Sequence, residues 1–228
     1  MDPGRADRPL AVVLLSGGMD SCVATAIAAQ TDALALLHVR YGQRTEAREL
    51  RAFHDLARHF EASRILVTGL DHLRAIGGSA LTDPSRDAVH ARREGSPVPD
   101  TYVPFRNTHL LALAVSWGEV LGARRIYIGA VEEDSSGYPD CREEYYQAFN
   151  RLLRVGTRPE TDLTVVAPLI HMSKAAIVKE GLRLRAPFHL TWSCYTQSEV
   201  ACGRCESCRL RLKGFREAGA LDPIPCAS

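Results

Sequence analysis

The sequence predicts an α/β fold: a mainly parallel sheet with flanking helices, followed by a small cysteine-rich C-terminal subdomain. Three observations predict it. Short apolar runs alternate with stretches of helical spacing. A Ser16-Gly17-Gly18 string stands directly after the first apolar run. Cys194, Cys202, Cys205 and Cys208 cluster near the end of the chain.

Residues 10–15 form the first apolar run and read as a buried strand. Residues 21–30 are Ala-rich and helix-friendly. A second strand follows at 33–39. In 44–60, Ala47, Leu50, Phe53, Leu56, Ala57 and Phe60 recur at helical spacing. A third short strand lies at 64–67. Residues 76–104 hold Gly77, Gly78, Pro84, Gly95, Pro97, Pro99 and Pro104, which makes a long loop and the leading candidate for a lid. Helices are expected at 109–121, 143–155 and 173–183, the last capped by Ser173, with strands at 125–129 and 163–167. The composition changes at about Thr191. The expected division is a nucleotide-binding domain at 1–190 and a cysteine-rich subdomain at 191–228.

Bulk properties narrow the function. The chain has 228 residues, 46% hydrophobic and 24% charged, close to the globular average, so intrinsic disorder is excluded as a starting point. With 28 Lys and Arg against 27 Asp and Glu, nothing in bulk charge calls for nucleic acid or an anionic membrane. No apolar run is long enough to span a bilayer, and the first ten residues lack the apolar segment of a signal peptide. A cytoplasmic location is expected. Seven cysteines, an odd number, argue against a disulfide framework.

The string Leu15-Ser16-Gly17-Gly18-Met19-Asp20-Ser21-Cys22 leaves the first strand and opens the first helix. A helix N-terminus offers unpaired N–H groups and a partial positive charge to phosphate. The glycines let the backbone approach the anion, and Ser16 and Ser21 add hydroxyls. Asp20 is placed to cap the helix or to help hold Mg²⁺. The pattern is not a Walker loop, because no Gly-Lys-Ser/Thr follows.

Cys194, Cys202, Cys205 and Cys208 are separated by seven, two and two residues. Cys-x-x-Cys turns set thiolates at tetrahedral spacing, and four sulfurs with no open position point to structural Zn²⁺. Arg204, Arg209 and Arg211 lie nearby and are expected to favour thiolates. An iron–sulfur cluster is the competing occupant, but the ferredoxin continuation is absent.

Two loop strings carry a charge beside an aromatic ring: Thr101-Tyr102-Val103-Pro104-Phe105-Arg106-Asn107 and Ser136-Gly137-Tyr138-Pro139-Asp140-Cys141-Arg142. That combination suits a flat polar heterocycle. The glycine loop resembles that of the N-type ATP pyrophosphatases, the PP-loop superfamily with an adenine nucleotide alpha-hydrolase-like fold. Three more strings extend the likeness: Tyr41-Gly42-Gln43-Arg44, the run from Pro168 to Lys174, and Thr191-Trp192-Ser193-Cys194-Tyr195. Together they resemble the 7-cyano-7-deazaguanine synthase family of queuosine biosynthesis, over nearly the whole chain.

The resemblance implies an ATP-dependent ligase forming C–N bonds. It would take 7-carboxy-7-deazaguanine and ammonia through an adenylated carboxylate and an adenylated amide to the nitrile, with AMP and pyrophosphate released. It implies ATP at residues 15–22, Mg²⁺, Zn²⁺ and a homodimer. Asp20, Arg106, Arg142 and Lys174 are the expected catalytic residues; Tyr138 would stack on the base and Asp140 would hydrogen-bond it. Where many relatives have an Asn soon after Gly129, this chain has Ala130-Val131-Glu132-Glu133-Asp134. Cys141 is expected to be structural, although a sulfur-carrying tRNA thiolase would use it. Cys22 is expected in the core, His38 at the sheet's end, and His109 and His171 in packing roles. A related enzyme joining the deazaguanine to a macromolecule, or a zinc-binding module without catalysis, would fit parts of the same pattern.

Overall fold

The computed structural model describes residues 8–62, 64–88, 98–132 and 137–227. Five parallel strands run β1 Leu10–Leu14, β2 Ala33–Arg40, β3 Arg64–Gly69, β4 Arg125–Ile128 and β5 Thr164–Val166, in the order β3-β2-β1-β4-β5. The helices are α1 Met19–Ala28, α2 Glu46–His59, α3 Asp71–Ile76, α4 Arg106–Leu121, α5 Glu143–Gly156, α6 Lys174–Arg183 and α7 Glu206–Ala218.

β1 is central and buried on both faces, so its residues divide by pleat. Val12 and Leu14 join a core with Leu111 and Ala114 of α4 and Phe149 of α5. Ala11 and Val13 join the opposite core with Cys22 of α1 and Phe53 and Leu56 of α2. Chain order reverses between β1 and β4, because the chain first builds outward to β3 and then returns to the other side of β1. Such a switch point leaves a crevice beyond the carboxyl ends of the strands.

The long loop is more ordered than its composition suggests. Ser79, Ala80 and Thr101 are buried, and Ala80 N–H donates to Asp100 O at 2.7 Å. The Arg44 guanidinium reaches the carbonyls of Ala80 and Asp83 at 3.0 and 2.8 Å, and that of Arg86. The lid expectation for its middle part, residues 89–97, falls outside the described residues.

Two helices escape a periodicity reading. The α3 segment spans one and a half turns and cannot show a period. In α7, cysteines and basic residues interrupt the apolar pattern, yet Phe215 is buried against Phe188 and the α6 side chains Ile177 and Val178. The α6 start follows expectation: Ser173 Oγ accepts from Ala176 N at 3.3 Å. No helix among the described residues is long and apolar enough to cross a membrane.

Candidate active site

The crevice at the switch point is a cavity of about 300 Å³. One end is the glycine loop. Gly17 has φ +94°, in the left-handed region open to glycine, and a Cβ there would stand 2.7 Å from Glu49 O. Gly18 is the N-cap of α1, and no side chain caps that helix, so its first N–H groups stay available to an anion. Ser16 and Ser21 hydroxyls lie 3.0 Å apart at the loop's mouth. The end of β4 presses on this turn: a Cβ on Gly129 would meet Ser21 N at 2.7 Å and Asp20 C at 2.8 Å.

Lys174, at the first turn of α6, reaches Asp20 Oδ2 at 2.9 Å and is itself buried. The other carboxylate oxygen, Asp20 Oδ1, is buried and has no hydrogen-bond partner among the described residues. An orphaned carboxylate oxygen beside a phosphate-type loop fits a divalent cation.

The far end of the cavity is aromatic and charged. Phe105, at the N-cap of α4, adopts φ +58°, a strained conformation for a bulky residue, held by its N–H donating to Tyr102 OH at 2.9 Å. The turn starts α4 at Arg106. The Arg106 guanidinium lies 5.4 Å from the Tyr41 ring centre and donates to Tyr41 OH at 3.1 Å. Its Nε is buried and unpartnered among the described residues. Burial opposes the charge, but Tyr41, Tyr138, Asp140 and Cys141 together hold the Arg106 pKa above the ordinary arginine value. Tyr138 and Tyr195 complete this end, and burial pushes the Tyr138 phenol up to about 12.

The segment after Thr191 closes the cavity from the side. Trp192 N–H donates to Gly17 O at 2.8 Å, and Thr45 Oγ1 lies 3.2 Å from Cys194 O. The four sulfurs of Cys194, Cys202, Cys205 and Cys208 lie within 4.8 Å of one another. A tetrahedron with arms of about 2.3 Å has edges of about 3.8 Å, so the set fits one zinc-sized ion. Backbone N–H groups of Gln197, Cys202, Arg204 and Cys205 point at Sγ atoms of Cys194 and Cys202 at 3.3–3.4 Å. Donors of that kind stabilise thiolates. Arg211, expected to do so, is instead buried and clamped by Asp222 at 2.7 and 2.8 Å, pinning the tail to α7.

Leu15, Ser16, Gly18, Met19, Asp20, Ser21, Arg106, Tyr138 and Lys174 all line the one cavity. Four expected site residues do not: Gly17, which shapes the turn from beneath, Cys22, Asp140 and Arg142. Cys22 points into the core with no exposed surface, and burial pushes its thiol up to about 12. Asp140 is buried with Oδ2 accepting from Asn107 N at 2.9 Å, while its carbonyl accepts from Asn107 Nδ2 at 2.8 Å. It caps α4 from a distant loop, because Phe105 cannot. Arg142 is exposed and pairs with Glu144 at 3.5 Å. Cys141 does border the cavity, but burial and the neighbouring Asp140 push its thiol up to about 11, the wrong direction for a sulfur nucleophile.

His38 is buried, with Nδ1 3.0 Å from Leu15 O under the glycine loop. Glu132 accepts from Glu143 N at 3.1 Å at the start of α5; Glu133, Asp134 and Ser136 lie outside the described residues. His109 sits beside His72, their nitrogens 3.4 Å apart, and His171 pairs with Glu143 at 3.2 Å on the surface. Tyr41, Tyr195, Glu49 and Glu206 also line the cavity. The two tyrosines stand in the strings around Gly42 and Trp192; the carboxylates carry no signal in the sequence.

A Ser-Gly-Gly-x-Asp-Ser loop at the switch point of this parallel sheet defines an ATP-using protein of the PP-loop class. The sequence pattern described as "Queuosine biosynthesis protein QueC" matches residues 10–219, and the chain belongs to that family. A relative from Chlorobium phaeobacteroides, "7-cyano-7-deazaguanine synthase", is 56% identical over 215 residues, covering 94% of this chain and 95% of the relative. One of the same name from Acidobacterium capsulatum is 56% identical over 224 residues, covering 96% and 97%. Among solved structures, the fold is similar to the "U34-tRNA thiolase NcsA from Methanococcus maripaludis with its [4Fe-4S] cluster", with TM-score 0.50 and 12% identity over 84% of this chain and 61% of that one. At that identity the likeness speaks of the fold alone.

Proposed function

We propose that the chain makes 7-cyano-7-deazaguanine from 7-carboxy-7-deazaguanine and ammonia at the expense of two ATP. The observation that carries the reading is the cavity that joins a phosphate loop to the Arg106 guanidinium, whose Nε has no partner among the described residues, beside three tyrosines. The relatives' shared name gives the product.

A carboxylate oxygen is a poor leaving group, and adenylation makes it a good one. Residues 15–21 bind the triphosphate by backbone N–H groups and hydroxyls. Arg106 holds the substrate carboxylate through Nε, so that one oxygen attacks the α-phosphorus and pyrophosphate departs. Ammonia adds to the acyl carbon, loses a proton, and AMP leaves an amide. The amide oxygen attacks a second α-phosphorus; loss of AMP and the remaining N–H protons leaves the nitrile. Lys174 neutralises phosphate charge in both adenylations. Both steps use one geometry, because the carboxylate and amide oxygens occupy the same place.

Asp20 would hold Mg²⁺, which supplies charge neutralisation on the phosphates. The four cysteines would hold Zn²⁺ as a structural ion, and residues 191–228 act as a subdomain fastened by it onto the domain at 1–190. A homodimer is proposed from the resemblance; exposed Val120, Leu152 and Val155 offer it apolar surface. A cytoplasmic location suits a small-molecule biosynthetic step.

The test is to incubate the zinc-loaded protein with 7-carboxy-7-deazaguanine, ammonium, Mg²⁺ and ATP, and to follow products by mass spectrometry. The expected result is nitrile with two AMP and two pyrophosphate per turnover. Adenylate without nitrile would move the search to another acceptor, including the macromolecular one.

A further inference from the structure

We propose that Glu206 reads the guanine-like edge of the substrate, accepting hydrogen bonds from the ring N–H and the exocyclic amine, and so sets specificity against bases without that amine. The inference rests on the reading of the substrate given above.

A guanine-type edge presents two neighbouring donors, and the matching group is a carboxylate with two acceptor oxygens. Three carboxylates line the cavity: Asp20, Glu49 and Glu206. Asp20 is committed to Lys174 at the phosphate end. Glu49 already accepts from Gln43 Nε2 at 3.0 Å through one oxygen and from Thr45 Oγ1 at 2.8 Å through the other. Asp140, the residue expected for this task, is withdrawn as the cap of α4. Glu206 is half-buried and makes no hydrogen bond or ion pair among the described residues.

Its surroundings suit the task. Tyr138 and Tyr195, the stacking surfaces of this end, line the same cavity as the Glu206 carboxylate. Arg106 lines the same cavity. The substrate carboxyl and its two-donor edge lie on opposite sides of the bicycle, so a base seated between Arg106 and Glu206 uses both. Glu206 is also held in place. It opens α7 directly after Cys205, whose N–H donates to Cys202 Sγ at 3.3 Å, so the cysteine cluster fixes its backbone.

The test compares wild type with Glu206→Gln, which is isosteric but offers one acceptor and a misplaced donor. Steady-state constants are measured for 7-carboxy-7-deazaguanine, for its analogue lacking the 2-amino group, and for ATP, with zinc content per chain in parallel. Loss of a paired charged hydrogen bond predicts a rise of about 30-fold in KM for the acid. ATP KM and zinc content should hold. Wild type should prefer the amino-bearing acid by about 100-fold, and the variant should lose most of that preference. If the Gln variant loses zinc, the zinc-retaining Glu206→Asp variant is read by the same ratio. An unchanged KM and an unchanged preference, with wild type active, overturn the assignment and leave the proposed reaction standing. No turnover of the acid by wild type removes both.

Discussion

At the proposed phosphate end of the cavity Leu15, Ser16, Gly18, Met19, Asp20 and Ser21 come from one local string, and the groups it offers a phosphate are mainly backbone. At the aromatic end Tyr41, Arg106, Tyr138, Tyr195 and Glu206 arrive from separated segments, and their binding groups are side chains. The first end depends on close backbone approach and tolerates almost no added volume. The second depends on how helices and a cysteine cluster aim a handful of side chains. The two ends should therefore fail in different ways when they are changed.

Volume added at the phosphate end should have the largest effect. Gly129→Ala puts a methyl group into the backbone of α1, and the collision at 2.7 Å with Ser21 N is with atoms that cannot rotate away. About 3 kcal/mol of strain, or a loss of about 100-fold in kcat/KM, is expected, with a lower melting temperature. A Gly129→Ala enzyme with wild-type kinetics would show that the loop has slack this account denies.

Loss of the metal set sharpens the contrast from the other side. Cys202→Ser should release the proposed zinc and lower Tm by about 10 °C. The fall should carry both ends with it, because Trp192 N–H bonds Gly17 O while Glu206 follows Cys205. Scanning calorimetry with metal analysis reads this directly; a variant that loses zinc and keeps its Tm would separate the cluster from the fold.

A smaller effect concerns His38 beneath the loop. Burial lowers its pKa from 6.5 to about 4, against a partly opposing hydrogen bond to Leu15 O. The folded state keeps His38 neutral while the unfolded chain takes up a proton below 6.5. Its contribution is therefore complete above that pH and is lost as pH falls toward 4. Wild type should lose about 2 kcal/mol more than His38→Gln between pH 7 and pH 5. Parallel stability–pH curves would remove His38 from the account.

The same contrast explains what the sequence disclosed. β1 and β2 are continuous apolar runs, and the loop between β1 and α1 is local, so strand, turn and helix start are visible in adjacent residues. The cysteine set is visible by spacing alone. The capping role of Asp140 was not legible because its partner, Asn107, is 33 residues away, and a carboxylate beside a tyrosine looks the same whether it faces a ligand or caps a helix. The exposure of Arg142 was hidden for a related reason: the turn at Pro139–Cys141 sets it on the surface, beside Glu144. Glu206 had no local signal at all, since only the placement of α7 beside Tyr138 and Tyr195 gives it meaning.

The most direct test of two separately built ends is a side-by-side measurement of KM for ATP and for 7-carboxy-7-deazaguanine in Arg106→Ala and Ser21→Ala. Arg106→Ala should raise the acid KM by about 100-fold and leave the ATP KM within about twofold. Ser21→Ala should raise the ATP KM by about 5-fold and leave the acid KM unchanged. If both constants rise together in both variants, the cavity is one undivided site and the central claim is contradicted.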